Sequence, residues 1–267
     1  MDTVELDPEV KKDILDDITQ FIEPNRYIFY QRRGIRYKRG YLLFGPPGTG
    51  KSSFALACAG ITRGKLYEVT LGRITNESFL RPLFKRPTKG DILLLEDIDA
   101  ANIQRESVVK VDRLDKIIDN PISLSGLLSA IDAIPDGVIL IMTTNRPQSL
   151  DEALIRSGRV DKRVLFGYAN NIVAQSIFTR IYKDDKKNTV SSEVAELSRR
   201  FAEKIPLETV TPADVQGFLL EKSDPQSAVD DIDGWIKKVV EAKEKRRKHF
   251  ESLNGESAGS SEDDFET

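Results

Sequence analysis

The sequence has one cysteine, one histidine and no long apolar run. Cys58 cannot form a disulfide within the chain, and His249, alone in a charged segment, argues against a histidine-based metal site or catalytic triad. The longest aliphatic runs, residues 92–95 and 138–142, have four or five residues, whereas a membrane span needs about 20. The first residues are acidic, unlike a secretion signal or a transit peptide. These absences predict a protein of a reducing compartment, or the soluble part of a longer protein.

The chain also lacks an excess of one charge. It has 40 Lys and Arg residues against 43 Asp and Glu residues, a net charge of -3, so no overall field attracts nucleic acid or anionic lipid. One basic run, residues 243–248, lies near the end of a predicted helix, where cations favour the helix dipole. We interpret this run as a solvated helix end and predict no nucleic-acid partner.

Short apolar runs alternate with helical patterns in the first part of the chain, which predicts a parallel α/β sheet flanked by helices. The predicted strands are residues 41–44, 67–71, 92–95 and 138–143. Beyond about residue 168 the pattern is helical, at residues 172–182, 193–205, 211–220 and 225–253. We therefore predict an α/β nucleotide-binding domain at 1–168, a helical lid domain at 169–253 and a disordered acidic tail at 254–267. The insertion at 102–122 could be a subunit contact or a mobile loop.

The strongest motif is a phosphate loop. Residues 45–52 fit G-x-x-x-x-G-K-[ST] in full, between a predicted buried strand and a predicted helix. Glycines let main-chain N–H groups face an anion, and the helix N-terminus adds positive potential. Lys51 is expected to reach the β- and γ-phosphates, and the Ser52 hydroxyl to bind Mg²⁺. The predicted nucleotide-binding residues here are Gly45, Pro46, Pro47, Gly48, Thr49, Gly50, Lys51, Ser52 and Ser53.

A group of carboxylates follows the predicted strand at 92–95, as Glu96-Asp97-Ile98-Asp99. In such a pair one carboxylate holds Mg²⁺, usually through water, and the next orients or deprotonates the attacking water. The alternative is a solvated acidic strand end, which a complete phosphate loop elsewhere in the chain disfavours. Together the two motifs predict Mg²⁺-dependent hydrolysis of a nucleotide.

These motifs, together with residues 142–147 and 150–161, resemble the AAA family of ATPases. The resemblance implies that the bound nucleotide is ATP or ADP, and that the chain has an AAA+ P-loop fold with a helical lid and assembles into a homo-oligomeric ring. More narrowly, residues 33–44, the Glu96-Asp97 order and residues 212–218 resemble the Bcs-type subfamily. Its members are AAA proteins of the mitochondrial inner membrane.

The resemblance assigns further roles. Asn145 matches the sensor that hydrogen-bonds the attacking water or the γ-phosphate, and Arg156 and Arg159 match the arginine fingers that enter the neighbouring subunit's site. The alternative for the arginines is a solvated position at a helix end. Ile35 matches a segment that packs on adenine, although a plain core role is an open alternative. Pro212 and Ala213 are expected to close the nucleotide pocket from the helical domain.

The acidic pair departs from the usual family pattern, because Glu96 precedes Asp97 where most AAA proteins have Asp before Glu. By position Glu96 is the metal-side carboxylate, with Ser52 as the other metal ligand, and Asp97 activates water. The reversed order leaves open which carboxylate does which.

The resemblance also implies a substrate and a location. The Bcs-type translocase moves the folded Rieske iron–sulfur protein during assembly of respiratory complex III, so we expect a ring of six or seven subunits that acts on a folded protein. Residues 71–76 lack the aromatic loop with which unfolding motors grip a chain, and Phe79 is expected to pack in the core of a helix at 76–84. The family's N-terminal membrane helix is missing, so membrane contact and the inner-membrane location are expected from a longer protein. An alternative is a nucleotide-dependent oligomerisation switch for signalling or scaffolding, with slow hydrolysis.

Overall fold

The computed structural model describes residues 4–74, 76–100, 103, 122–184 and 189–256. Beyond residue 245 it describes the backbone only. Apart from Ile103 and Ile122, the predicted insertion at 102–122 lies outside the described residues, as does the predicted tail from residue 257 onward. The chain divides into two compact units, Met1–Gly167 and Tyr168–Thr267.

The first unit is built on a sheet of five parallel strands. These are β1 (Arg39–Phe44), β2 (Leu66–Thr70), β3 (Ile92–Glu96), β4 (Ile139–Thr144) and β5 (Lys162–Leu165), in the order β2-β3-β4-β1-β5. Every residue of β4 is buried, and so are the first four residues of β3. Strands covered on both faces read as unbroken apolar runs. The predicted α/β fold with a parallel sheet is confirmed.

The sequence pattern does not predict β5. Of its four residues only Val164 is buried, because the strand lies at the sheet edge beside β1. Short, charged edge strands carry no apolar run of the kind that marks the inner strands.

Five helices accompany this sheet in the described residues: α1 (Pro8–Ile22), α2 (Arg26–Gln31), α3 (Lys51–Thr62), α4 (Leu80–Phe84) and α5 (Leu124–Asp132). Asp17 of α1 accepts two hydrogen bonds from the Arg39 guanidinium, at 3.0 and 2.6 Å, and one from the Tyr41 hydroxyl. Burial raises the pKa of this carboxyl, but the bonds from Arg39 and Tyr41 outweigh burial and hold the pKa below its ordinary value. Asp17 thus fastens α1 to the start of β1.

The expectation that Phe79 packs in the core is wrong. The predicted helix at 76–84 begins as a 3-10 turn at Glu77–Phe79 and becomes α-helical only at Leu80. The buried positions therefore start at Leu80 and continue at Phe84, while the Phe79 side chain is 59% exposed.

The second unit is helical, with α6 (Asn171–Tyr182), α7 (Ser192–Glu203), α8 (Pro212–Leu220) and α9 (Pro225–Glu256). Its core includes a row of aromatic rings, Phe178, Phe201, Phe218 and Trp235, with successive centroids 5.1, 6.1 and 4.6 Å apart. The backbone of α9 continues to Glu256, past the predicted end of the lid at residue 253. Within the described part of the chain, no helix has the length and apolar character required to cross a membrane.

Candidate nucleotide-hydrolysis site

The phosphate loop lies at the carboxyl end of β1 and leads directly into α3. Gly45, Gly48 and Gly50 have φ values of 140°, 79° and 93°, a region that glycine enters without steric cost. A Cβ atom on Gly45 would lie 2.1 Å from the carbonyl oxygen of Phe166, so no other residue fits there. The resulting curl at the N-terminus of α3 suits a phosphate group.

Lys51 lies across this loop and is only 7% exposed. Its Nζ donates to the carbonyl oxygens of Gly45 and Pro46, each at 2.8 Å, and to Asn145 Oδ1 at 2.9 Å. Burial lowers the pKa of Lys51, and the negative charges of Asp97 and Asp99 oppose that shift. The ammonium group is therefore held close to two of the carboxylates that follow β3.

Asn145 connects the phosphate loop to the acidic pair. It follows β4, and its Nδ2 donates to Asp97 Oδ1 at 3.2 Å while its Oδ1 accepts from Lys51. An ammonium group, an amide and a carboxylate thus form one hydrogen-bonded chain where parallel strands end, the edge at which open α/β sheets bind ligands. The ammonium group can stabilise negative charge on a phosphate, and the carboxylate can accept a proton from water.

The two carboxylates of the pair differ in backbone geometry. Glu96 is the last residue of β3 and half-buried, whereas Asp97 is exposed and has a φ of 44°. A positive φ is costly for a residue with a Cβ and occurs at functional sites. Asp97 is the carboxylate of this pair that contacts Asn145, and its assignment to the water side stays a prediction.

The donor set fits a magnesium ion that is held mainly by nucleotide and water. Among the described residues, no group of three or more His, Cys, Asp or Glu side chains could hold a metal ion. Mg²⁺ keeps several waters and takes few protein ligands when it is bound with phosphates. The exposed Ser52 hydroxyl at the start of α3 and the Glu96 carboxylate suit that role.

The two predicted arginine fingers lie at the opposite end of β1. They line a cavity of about 810 Å³ together with Arg39 and Asp161. Gly40 packs on the carbonyl group of Arg159, whose oxygen would lie 1.8 Å from a Cβ atom on Gly40. The five residue steps from Gly40 to Gly45, at about 3.3 Å each, place this end roughly 17 Å from the phosphate loop. Both arginines lie in turns and not at a helix end, and the alternative of a solvated surface position still fits the exposed Arg156.

Arg159 is bound within its own chain. Its Nε and Nη2 donate to the two carboxylate oxygens of Asp132 at 3.1 and 2.7 Å, and its Nη1 donates to Ala153 O at 2.9 Å. The hydrogen bond from Arg159 is the main cause that holds the pKa of Asp132 below its ordinary value. Arg156, in contrast, is exposed.

The structure does not bring Ile35 to the phosphate loop. Ile35 lines the same cavity as Arg156 and Arg159, and it is 53% exposed, which also excludes the core role. The chain before β1 runs along the amino ends of the strands, so Ile35 cannot pack on a nucleotide bound at the phosphate loop of its own chain.

Val4 lies beside the phosphate loop instead. It is 2% exposed, and its Cγ1 lies 4.0 Å from the place of a Cβ on Gly50. Lys11 Nζ donates to its carbonyl oxygen at 2.9 Å. The sequence pattern missed Val4 because isolated apolar residues in an acidic segment show no periodicity.

Pro212 and Ala213 belong to the second unit, where they form the first turn of α8. Thr211 caps this helix through a reciprocal capping box with Asp214. Pro212 is half-buried and Ala213 is exposed. Their part in closing a nucleotide pocket stays a prediction.

Comparison with known families agrees with this geometry. Residues 41–168 match the family described as "ATPase family associated with various cellular activities (AAA)". Residues 172–234 match the family described as "Mitochondrial chaperone BCS1-like, ATPase lid domain". The chain belongs to the AAA family of ATPases. The predicted AAA resemblance, its Bcs-type lid and the ATPase class are confirmed.

Named relatives of this AAA ATPase align with most of its length. It is 36% identical over 242 residues to "Mitochondrial chaperone BCS1" of Bos taurus, covering 86% of this chain and 54% of the relative. It is 35% identical over 235 residues to "Probable mitochondrial chaperone bcs1" of Schizosaccharomyces pombe, covering 86% and 49%. It is 34% identical over 270 residues to "AAA-ATPase At4g30250" of Arabidopsis thaliana, covering 92% and 50%. The AAA ATPase thus spans about half the length of these relatives.

Proposed function

We propose that this chain is the Mg²⁺-dependent, ATP-hydrolysing part of a ring-forming protein chaperone of the Bcs type. The observation that carries the proposal is the hydrogen-bonded chain from Lys51 through Asn145 to Asp97. It assembles a cation for the phosphates, a polar sensor and a proton acceptor at one strand edge. In this proposal ATP lies on the phosphate loop, and Ser52 and Glu96 bind the metal ion.

The placement of the arginines supports assembly into a homo-oligomer. Arg156 and Arg159 lie at the amino end of β1, and the phosphate loop lies at its carboxyl end, so one copy cannot use both in the same site. A second copy brought head to tail can place its arginines on the nucleotide of the first, and repetition of this contact closes a ring. We propose six or seven subunits, as the family resemblance implies.

The location of the whole protein is inferred from the relatives, two of which are named mitochondrial chaperones, and its substrate is inferred from the resemblance to the Bcs-type subfamily. We propose that the whole protein works at the mitochondrial inner membrane on a folded protein during assembly of respiratory complex III. Membrane contact would come from a region outside the segment that aligns.

A second candidate function is a nucleotide-dependent assembly switch. The observation in its favour is that Arg159 is bound to Asp132 of its own chain, so its arrival at a neighbour's nucleotide would require that contact to break. In such a switch ATP drives assembly, and slow hydrolysis only resets it.

The two candidates differ in turnover. Phosphate release is measured with ATP and Mg²⁺, with and without a metal chelator, over a range of protein concentrations. Sustained turnover that rises with protein concentration and stops with chelator is expected for the chaperone motor. Slow turnover with tightly retained ADP would favour the switch, and no Mg²⁺-dependent turnover at any concentration would contradict the proposed hydrolysis.

A further inference from the structure

The ends of β3 and β4 are joined by bonds that a regular sheet does not make. Main-chain pairing between the two strands stops with Leu95 opposite Met142. Beyond that point the backbone of Asp97 turns with a φ of 44°. Its N–H donates to the Thr143 hydroxyl, with N and Oγ1 3.0 Å apart, and the Ile98 N–H donates to the Thr143 carbonyl oxygen at 3.0 Å. Thr143 therefore holds the segment that carries the water-side carboxylate.

The reciprocal bonds run to Asp99. Its Oδ1 accepts from the Thr144 hydroxyl at 2.7 Å and from the Asn145 main-chain N–H at 3.2 Å. These bonds fix the Asn145 backbone directly before its side chain reaches Lys51 and Asp97. The end of β4 thus holds Asp97, which follows β3, and the segment after β3 holds Asn145, which follows β4.

The burial of the two threonines shows why hydroxyl groups matter here. Thr143 and Thr144 are 1% and 0% exposed, and a buried hydroxyl costs free energy unless it is hydrogen-bonded. Successive residues of a strand point to opposite faces, so neighbouring threonines can serve two different partners. Valine at position 143 or 144 would fill nearly the same space without making the side-chain hydrogen bond of the threonine that it replaces.

We infer that Thr143 and Asp99 are positioning residues for ATP hydrolysis. Thr143 holds Asp97 in its unusual backbone conformation, and Asp99 holds Asn145, so the carboxylate and the amide stay in contact. This inference rests on the proposed hydrolysis and adds two residues to its machinery. Neither residue belongs to the phosphate loop, so their loss should lower turnover while ATP affinity is retained. A displacement of about 1 Å at a reacting group can cost on the order of 100-fold in rate.

The first test removes and restores one hydroxyl in the 267-residue chain. Thr143→Val should lower kcat about 10- to 100-fold, with ATP affinity by calorimetry unchanged within about twofold. Thr143→Ser, which keeps the hydroxyl, should recover most of the turnover. Thr179→Val in α6 is the matched control, because its hydroxyl donates to Gln175 O at 3.0 Å in the other unit. Wild-type kcat in Thr143→Val, or equal losses in the Val and Ser variants, would overturn the inference.

The second test separates hydrogen bonding from charge at Asp99. Both of its bonds end on Oδ1, so Asp99→Asn can keep them with its amide oxygen, whereas Asp99→Ala loses both. We expect near wild-type kcat for Asp99→Asn and a loss like that of Thr143→Val for Asp99→Ala. Equal losses in both variants would show that the charge matters, and the positioning role would fail. If the wild-type chain binds ATP without turnover, the proposed function itself is wrong.

Discussion

The amide of Asn145 lies between Lys51 and Asp97 and binds both, at 2.9 and 3.2 Å. Its oxygen faces the cation and its nitrogen faces the carboxylate, so neither charge has to contact the other directly. Lys51 begins α3 after the phosphate loop that follows β1, Asn145 directly follows β4 and Asp97 directly follows β3. A group that binds at the phosphate loop and displaces Lys51 Nζ would therefore also change the hydrogen bonding of Asn145 and Asp97.

Lys51→Ala should weaken ATP binding. The variant removes a buried cation that makes two hydrogen bonds to the phosphate loop and one to Asn145. A hydrogen bond to a charged group is worth about 1.5–3 kcal/mol, roughly 10- to 100-fold in affinity. Calorimetric titration with ATP and Mg²⁺ measures the change. Thermal unfolding without nucleotide serves as the control for folding. Unchanged affinity would contradict the assignment of the loop.

Exchanging the acidic pair for amides should separate its two roles. Asp97→Asn is expected to retain ATP and Mg²⁺ binding and to lose turnover by about 100- to 10,000-fold, the range for removal of a general base. Glu96→Gln should also raise the Mg²⁺ concentration needed for half-maximal activity. Steady-state phosphate release across a Mg²⁺ series measures both effects. Exchanged phenotypes would mean that Glu96 is the residue that activates water.

Mixed rings should reveal whether Arg159 acts on a neighbouring subunit. Arg159→Ala alone should lower turnover by about 10³- to 10⁵-fold, as for other arginine fingers. Arg159→Ala subunits have an intact phosphate loop, and Lys51→Ala subunits keep Arg159. A mixture of the two should therefore recover part of the hydrolysis. Native mass spectrometry confirms co-assembly, and Arg199→Ala, whose partner Glu196 lies on the surface of α7, is the control. If the mixed rings assemble and no hydrolysis is recovered, Arg159 has only a structural role.

The inner strands and the phosphate loop are predictable from sequence because the physical signal is local. An unbroken apolar run marks each strand buried on both faces, and the glycine spacing at 45–50 marks the loop. β5 is not predicted because it has only four residues, two of them charged, with one buried residue, Val164. The other edge strand, β2, is longer and contains the apolar residues Leu66, Tyr67 and Val69.

Other features depend on tertiary placement and leave no local signal. Ile35 is close in sequence to the phosphate loop, but the length of β1 separates the two. Val4 is far from Gly50 in sequence and comes close to it because α1, which follows Val4, packs against α3 and is joined to β1 through Asp17. The hydrogen bonds of Thr143 and Asp99 likewise join the ends of two strands that are far apart in sequence, so no single segment of the sequence predicts them.

Cys58 should be unreactive in the folded chain. It is fully buried, and burial raises the pKa of its thiol from an ordinary value of 9.0 to about 12. The thiol contributes stability below pH 9 that is lost as the pH rises toward 12, by about 1.4 kcal/mol per pH unit in that window. Unfolding in denaturant at pH 8 and pH 10, compared with Cys58→Ala, isolates this contribution. Rapid labelling of the native thiol at pH 8 would contradict the burial.

The last prediction concerns what hydrolysis does to a partner protein. The exposed Phe79 is the last residue of a 3-10 turn. This turn is attached to the start of α5, because Glu77 accepts hydrogen bonds from the Ser123 N–H at 2.9 Å and from the Ser123 hydroxyl at 2.6 Å. An aromatic ring on an anchored turn can contact a partner surface but is poorly placed to follow a moving extended chain. We therefore expect the whole protein to move or remodel a folded partner, and Phe79→Ala to lower partner-stimulated turnover while basal turnover stays near wild type.

The measurement uses a partner fused to a tightly folded fluorescent reporter, presented to the whole protein with ATP. Reporter fluorescence should stay constant through many turnovers, with wild-type protein and with Phe79→Ala alike. Leu165→Ala replaces another exposed apolar residue, at the sheet edge, and is the matched control. Progressive ATP-dependent loss of fluorescence that Phe79→Ala abolishes would identify Phe79 as a gripping residue. The protein would then be an unfolding motor, because a loss of native fluorescence that requires both ATP and Phe79 shows that hydrolysis unfolds the partner.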